Sequence, residues 1–147
     1  MARGRFAHNM DSKGRIAIPQ VLRMEIQAHE KPPILTSCID APAVGIYAQE
    51  RWLEIEQRLA NMSQVQPEVQ KIRRLIVSGA EECPIDSQGR VRVPQHLRDY
   101  AGLSKQCLVA GMGERIELWD RARFDQEIAS IRENGEDVSR IAADLGL

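Results

Sequence analysis

Two kinds of hydrophobic spacing occur along the chain. Residues 15–18 and 90–93 alternate Ile or Val with other side chains, which is typical of a strand buried on one face. Residues 49–61 and 67–78 carry apolar side chains every three or four positions, which predicts amphipathic helices. The whole pattern predicts strands at 3–10, 15–18, 34–37, 44–47, 80–85, 90–93, 106–112 and 115–119, and helices at 19–28, 49–61, 67–78, 94–101 and 121–132. Residues 136–147 fit either an amphipathic helix or a disordered tail.

One stretch of thirteen residues occurs twice. The copies read DSKGRIAIPQVLR at 11–23 and DSQGRVRVPQHLR at 86–98, with eight identical positions and an offset of 75 residues. Asp-Ser-x-Gly is typical of a turn, because Asp accepts hydrogen bonds from its own backbone and Gly tolerates positive φ. Pro after each strand is a good first residue of a helix. The repeat therefore predicts a duplicated turn–strand–helix unit.

The repeated motif resembles that of a known family. Each copy holds Asp-x-x-x-Arg within Asp-Ser-x-Gly-Arg, followed by alternating β-branched residues and Pro. Together with the opening Met-Ala-Arg-Gly and the pairs Tyr47…Trp52 and Trp119…Phe124, this pattern is similar to the MraZ family. AbrB-like transcription factors and antitoxins share the looser single-copy pattern, so two copies at this spacing are the distinguishing feature. The resemblance extends to about Ser130.

The resemblance implies an α+β fold, in which two tandem AbrB-like swapped-hairpin modules form a pseudo-twofold β-barrel core with flanking helices. The expected organisation is a module at 5–52, a helical bridge at 53–80, a second module at 81–124 and a helical tail at 125–147. Within the bridge, the helix at 67–78 is expected to have no counterpart in the second half. The resemblance also implies a sequence-specific transcriptional repressor that assembles into a homo-oligomeric ring. It would bind short G-rich direct repeats in double-stranded DNA, upstream of its own division and cell-wall operon.

Charge is distributed unevenly. The net charge of the chain is −1, but residues 1–23 carry +4 and residues 86–98 carry +2, which leaves −7 for the remainder. Sixteen of the twenty cations are Arg, a residue suited to bidentate recognition of phosphate and guanine. With only six aromatic residues, base stacking is not expected to be a main binding mode. The distribution indicates a local basic face on a near-neutral body.

The candidate DNA contacts lie mainly at the two turns. Arg15 and Arg90 follow the turn glycines, and each can reach DNA, form an ion pair with the Asp four residues earlier, or do both. In the resembling family, the Arg at the position of Arg15 is a DNA-binding residue. The full set of candidate contacts is Arg15, Lys13, Gly14, Arg90, Gln88, Arg3, Arg5 and Arg92. Lys13 and Gln88 lie at the turn tips, and Arg3 and Arg5 form a basic N-terminal arm or a solvated terminus. Outside this set, Asp11, Asp86 and Gly89 are expected to shape the turns.

Other functions remain as alternatives. An antitoxin-like protein would use the same module for DNA and the tail for a toxin, and a plain scaffold would use the turns only to hold the fold. A pyruvoyl-forming decarboxylase on a related barrel would need a Gly-Ser cleavage site, which the sequence lacks. No nucleophile–base pair is apparent, so we expect no enzyme activity, no small-molecule substrate and no cofactor.

Cysteine and histidine usage indicates a reduced protein without a metal. Cys38, Cys83 and Cys107 are odd in number and form no closely spaced pair, so we expect free thiols in the core of a cytosolic protein. The three histidines lack ligand spacing. No apolar run of about 18 residues and no signal-peptide pattern is found, so we expect no membrane span and a cytoplasmic, nucleoid-associated location.

Overall fold

The computed structural model describes residues 1–27 and 31–147 of the chain. The strands are β1 (Ala2–Asn9), β2 (Arg15–Ala17), β3 (Ile34–Ser37), β4 (Val44–Tyr47), β5 (Glu81–Glu82), β6 (Arg90–Arg92), β7 (Gln106–Gly113) and β8 (Ile116–Asp120). The helices are α1 (Gln20–Ile26), α2 (Gln49–Ala60), α3 (Pro67–Ile72), α4 (Gln95–Ala101), α5 (Arg121–Glu133) and α6 (Glu136–Asp144). The protein is therefore α+β, as expected. The predicted end of the first helix near Ala28 lies outside the described residues.

The strands form one large antiparallel sheet and one small ribbon. The sheet has the order β1-β7-β8-β4-β3-β5, and β2 pairs with β6 as a separate two-stranded ribbon. Strand β1 from the first half pairs with β7 from the second half, whereas β5 from the second half pairs with β3 from the first. The sheet order reads the same from either end when each strand is exchanged for its counterpart in the other half. The two halves are therefore interleaved.

Both halves contribute to one hydrophobic core. The main cluster includes Ile16, Leu22, Leu35 and Ile46 from the first half and Val91, Leu97, Val109 and Leu118 from the second. A unit of about 60 residues is only marginally stable alone, and interleaving gives both halves a common interior. The members of each aromatic pair pack against each other in equivalent places: Tyr47 contacts Trp52 and Trp119 contacts Phe124, with ring centroids 5.7 and 5.5 Å apart. The three cysteines are free and buried, as expected.

Two predicted elements differ from the observed ones, one beside a contact with β3 and one beside a proline. The helix predicted at 67–78 is α-helical only to Ile72 and continues as a π-helix over Arg73–Val77. In this π-helix the Ile76 carbonyl accepts a hydrogen bond of 2.6 Å from the Thr36 hydroxyl, which ties it to β3. The strand predicted at 80–85 is only two residues long, because Pro84 has no N–H to continue the ladder.

The C-terminal segment is helical over Glu136–Asp144. Helix α6 follows α5 in the second half as α3 follows α2 in the first. The expectation that the helix at 67–78 has no counterpart is therefore wrong in terms of element order. Apolar side chains at helical spacing explain the helix, but Val138, Ile141 and Leu145 remain 51, 64 and 72 % exposed. Among the helices of the described residues, none is long and apolar enough to cross a membrane.

Candidate nucleic-acid interface

The two turns, residues 11–14 and 86–89, have the same hydrogen bonds. In the first turn, Asp11 Oδ1 accepts the backbone N–H groups of Lys13 and Arg15, both at 2.9 Å. Its Oδ2 accepts a hydrogen bond of 2.7 Å from Arg15 Nε. In the second turn Asp86 accepts the equivalent hydrogen bonds from Gln88 N, Arg90 N and Arg90 Nε, at 2.9, 3.0 and 3.0 Å. Each Asp thus closes its turn and orients the Arg four residues later.

These hydrogen bonds stabilise the charged form of both carboxylates. The backbone N–H of Arg15 is the largest cause that lowers the pKa of Asp11 to about 2, and the Arg15 guanidinium and the Lys13 N–H act in the same direction. The pKa of Asp86 is also lowered, mainly by the backbone N–H of Arg90. Both turns therefore hold an ionised carboxylate at neutral pH.

A glycine is required near the end of each turn. Gly14 and Gly89 have φ of +80° and +78°, values that other residues rarely adopt. Their carbonyls accept hydrogen bonds from the opposite half, from Val93 N and Ile18 N respectively, each at 2.9 Å. Each turn therefore leads directly into the ribbon formed with the other half.

The ribbon separates an apolar face from a basic face. Ile16 and Val91 are opposite each other and buried in the core. On the other face Arg15 is directly opposite Arg92, and Arg90 is opposite Ala17. Alternation of side chains along a strand therefore places three arginines together on the outer face.

Asp11 connects the two halves on this basic face. Besides its bonds to Arg15, its Oδ2 lies 3.9 Å from Nη1 of Arg90. The side chains of Arg15 and Arg90 keep 33 and 28 % of their surface exposed. The ion pair that the sequence left open is therefore present in both halves, and both guanidinium groups still reach solvent.

The remaining candidate residues lie in two different places. Lys13 and Gln88 are exposed at the turn tips, and Arg92 is exposed on the ribbon, beside a groove that also contains Glu81 and Glu82. Arg3 and Arg5 are not on a free arm, because β1 is paired with β7 along its whole length. The Arg5 guanidinium lies 5.1 Å from the centre of the Phe124 ring. The register of β1 therefore places Arg5 opposite Ala110 in the large sheet and not on the β2–β6 ribbon.

Two further arginines contact the turns and were not among the candidates. Arg98, on α4, lies against Gly14, and Arg23, on α1, lies against Gly89. Each therefore contacts the turn of the other half. Both occupy the thirteenth and last position of the repeat, and that identity was the signal in the sequence. Their contact partners could not be read from the repeat, because they depend on the pairing of the two halves.

The described residues contain no arrangement typical of a metal centre. Over 1–27 and 31–147, no group of three or more His, Cys, Asp or Glu side chains could hold a metal ion. The buried carboxylate of Glu117 serves the fold: it accepts hydrogen bonds from Arg115 at 2.6 and 3.0 Å and from Trp119 Nε1 at 3.0 Å.

The protein is thus built from two copies of a turn–strand–helix unit, and arginines of both copies share one face of the ribbon. The comparison with protein-family models agrees with that duplication. One family model, described as "MraZ protein, putative antitoxin-like", matches residues 1–75 and again residues 76–144. The chain belongs to the MraZ family, a regulator-type family rather than a family of enzymes. The family expected from the repeated motif is confirmed.

Proposed function

We propose that this protein is a sequence-specific DNA-binding transcriptional regulator that reads DNA with its two turns and the basic face of the ribbon. The observation that carries the proposal is the direct cross-strand pair Arg15 and Arg92, with Arg90 on the same face. Like charges directly opposite each other destabilise a strand pair. Asp11 offsets part of this repulsion through its ion pair with Arg15, and an anion bound over the guanidinium groups would offset more of it.

The charge of the turns and ribbon fits a phosphate backbone. Residues 11–17 and 86–92 hold four cations and two carboxylates. Each carboxylate orients one arginine, and because the cations outnumber the carboxylates the face keeps a net positive charge. Lys13 at the first tip suits a phosphate contact, whereas Gln88 at the second tip can only donate or accept neutral hydrogen bonds. The first turn is therefore proposed to contribute more to the salt-dependent part of the affinity.

Guanine is the base that this chemistry favours. An Arg that donates two parallel N–H bonds recognises the O6 and N7 atoms of guanine in the major groove. The Asp11 contact to Nε leaves the terminal nitrogens of Arg15 free to point outward. Membership in the family supports the finer proposal: binding to short G-rich direct repeats upstream of the protein's own division and cell-wall operon, with repression as the outcome. A protein with that role acts in the cytoplasm, at the nucleoid.

The interleaved sheet supports the architecture that accompanies this function. We infer two AbrB-like modules at 5–52 and 81–124, with a bridge at 53–80 and a tail at 125–147, in which swapped hairpins form a pseudo-twofold barrel. The exchange of β1 and β5 between the halves is the observation that favours it. The two halves would then present one combined DNA-binding surface rather than two separate ones.

Assembly into a homo-oligomer is part of the same proposal. Helix α6 and its C-cap Leu145 form an exposed apolar stripe with Val138 and Ile141, which a second copy of the chain could cover. Several subunits that engage repeated sites together would raise affinity through effective concentration. We expect Ile141→Asp to reduce the mass measured by light scattering and to weaken binding to a duplex with several repeats. Ser139→Asp, which adds the same charge beside the stripe, is the control and should preserve the mass.

The test of DNA recognition is fluorescence anisotropy with a labelled duplex from upstream of the protein's own gene. A scrambled duplex and the variants Arg15→Ala and Arg58→Ala are measured at two salt concentrations. Removing a bidentate guanine contact should cost about 1–3 kcal/mol, or roughly 5- to 150-fold in Kd. Arg58 is exposed on α2, away from the turns. Arg58→Ala removes the same charge there, so this variant should bind as the wild type does.

Equal and weak binding of the wild type to both duplexes would overturn the proposal. An antitoxin-type protein with a toxin partner is the second candidate, and the wording of the family description and the exposed stripe of α6 favour it. Co-purification of one small toxin from native cells, lost in Ile141→Asp but retained in Ser139→Asp, would support that candidate.

A further inference from the structure

Arg23 and Arg98 pack against the turn glycines of the opposite half. A Cβ atom built on Gly14 would lie 2.7 Å from Cζ of Arg98, and one built on Gly89 would lie 2.7 Å from Cζ of Arg23. These distances are well below ordinary van der Waals contact, so the guanidinium groups occupy the space that any larger residue would need. The same contact appears twice, once in each direction between the halves.

Hydrogen bonding does not explain why these two side chains lie there. The Nε atoms of Arg23 and Arg98 are buried and have no hydrogen-bond partner among the described residues. A buried N–H without a partner is unfavourable, so the position of these two side chains calls for another explanation. Two other arginines also have an unpaired Nε, but Arg51 and Arg73 use their terminal nitrogens for an ion pair or a carbonyl contact within the fold.

The packing acts on the part of each turn that has the least intrinsic stability. Gly14 and Gly89 lie at positive φ, and glycine loses more conformational entropy on folding than any other residue. A flat guanidinium pressed on the open side of the glycine restricts the peptide on either side of it. In the first turn those peptides carry Lys13 and Arg15, and in the second they carry Gln88 and Arg90.

We infer that Arg98 is a positioning residue for the DNA contacts of the first turn, and that Arg23 is a positioning residue for those of the second. The inference rests on the proposed function, because it assigns roles toward the same DNA surface. Each turn is thus held in its binding conformation by a helix from the other half. Preordering of this kind lowers the entropy cost of binding without adding a contact to DNA.

The inference predicts a crossed pattern of dependence. Arg98→Ala should weaken specific DNA binding by about 2- to 13-fold, the usual cost of ordering a rotamer-rich group on binding. In an Arg15→Ala background the further loss should shrink to less than about twofold, because the first turn no longer contributes its main contact. In an Arg90→Ala background the loss should keep its full size. Arg23→Ala should show the reverse pattern, coupling to Arg90 and not to Arg15.

Salt dependence distinguishes positioning from direct phosphate contact. A lysine or arginine that contacts phosphate lowers the slope of log K against log salt by about one when it is removed. We expect Arg98→Ala and Arg23→Ala to keep the wild-type slope. Arg98→Gln, which keeps most of the stem without the charge, covers the case in which the alanine variant fails to fold. A slope reduced by about one in the positioning variants would overturn the inference.

Hydrogen exchange measured by mass spectrometry tests the inference without DNA. Arg98→Ala should speed exchange in peptides that cover residues 11–15 and leave 86–90 unchanged, and Arg23→Ala should do the opposite. Arg58→Ala should change neither segment. Equal effects on both turns, in exchange or in the coupling of the double variants, would show a general structural role and sink the inference. If the wild type lacks specific DNA binding while the crossed exchange pattern is present, the proposed function fails and the contact between the halves stands.

Discussion

Replacing Gly14 with alanine tests the geometry of the first turn by a stability measurement. The residue has φ of +80°, so alanine would hold the left-handed conformation at a cost of roughly 1–2 kcal/mol. The new methyl group would also lie 2.7 Å from Cζ of Arg98. Because the guanidinium is the end of a flexible side chain, it can move away and lose its packing on the turn.

The second cost can be estimated from the contacts that are lost. Each well-placed pair of non-bonded atoms contributes about 0.1–0.2 kcal/mol, so moving one guanidinium forfeits about 0.5–1 kcal/mol. The expected destabilisation by Gly14→Ala is therefore about 1.5–3 kcal/mol. In an Arg98→Ala background only the backbone cost should remain, about 1–2 kcal/mol.

Urea unfolding followed by circular dichroism provides the assay, with the midpoints compared at a common slope. All variants must be measured at one protein concentration, because the stability of an oligomer depends on it. Gly89→Ala with and without Arg23→Ala repeats the experiment in the other half. The same cost for Gly14→Ala in both backgrounds would refute the packing of Arg98 on the turn, and a cost near zero would refute the left-handed conformation itself.

Three further predictions concern the turn carboxylate, the thiols and the buried carboxylate. The NMR signal of the Asp11 side-chain carboxyl carbon should titrate with a pKa of about 2. In Arg15→Gln this pKa should rise only part of the way to 3.8, because the backbone N–H of residue 15, which is the largest cause of the lowered pKa, remains. The stabilisation from this group is thus complete above pH 3.8 and lost as the pH falls through about 2; an ordinary titration near 3.8 in the wild type would contradict the turn geometry. Burial, with Glu117 nearby, raises the pKa of the Cys38 thiol to about 12, so the native protein at pH 8 should react with iodoacetamide far more slowly than the urea-unfolded protein, and equal rates would argue against the buried position. Glu117→Ala should destabilise the protein by about 3 kcal/mol in urea unfolding, because Arg115 and Trp119 lose the carboxylate that accepts their hydrogen bonds. The control Glu114→Ala, at an exposed position, should cost less than about 1 kcal/mol. Equal small effects would show that the buried network is unimportant.

The local elements could be read from the sequence because their causes are local. The strands at 34–37 and 44–47 have the predicted bounds, and the helix beginning after Asp120 is capped by that side chain, which accepts the Arg123 N–H at 3.3 Å. The turn chemistry of Asp-Ser-x-Gly is confirmed in both copies, since all its hydrogen bonds join residues at most four positions apart. The assignment of the turn residues to DNA remains a prediction.

Some features were missed where a non-local contact overrides a local pattern. The spacing in 67–78 predicts a regular α-helix, but the segment is π-helical where Ile76 bonds to Thr36, forty residues away. The strand predicted at 3–10 is present, but its pairing with β7 of the other half, which leaves Arg3 and Arg5 without a free arm, was not predicted. Such effects have no signature within a window of ten or fifteen residues.

The duplication, the form of each turn and the family could be read from the sequence, because eight identities in thirteen positions repeat the same local chemistry. How the two copies meet could not be read from it. The antiparallel pairing of β2 with β6 places Arg15 opposite Arg92 and brings Arg90 to Asp11, although the members of each pair are more than 75 positions apart in the chain. The same pairing packs Arg98 against Gly14 and Arg23 against Gly89. The physical reason is that hydrogen bonds within a turn depend on neighbouring residues alone, whereas the register between two strands depends on burying both halves in one core.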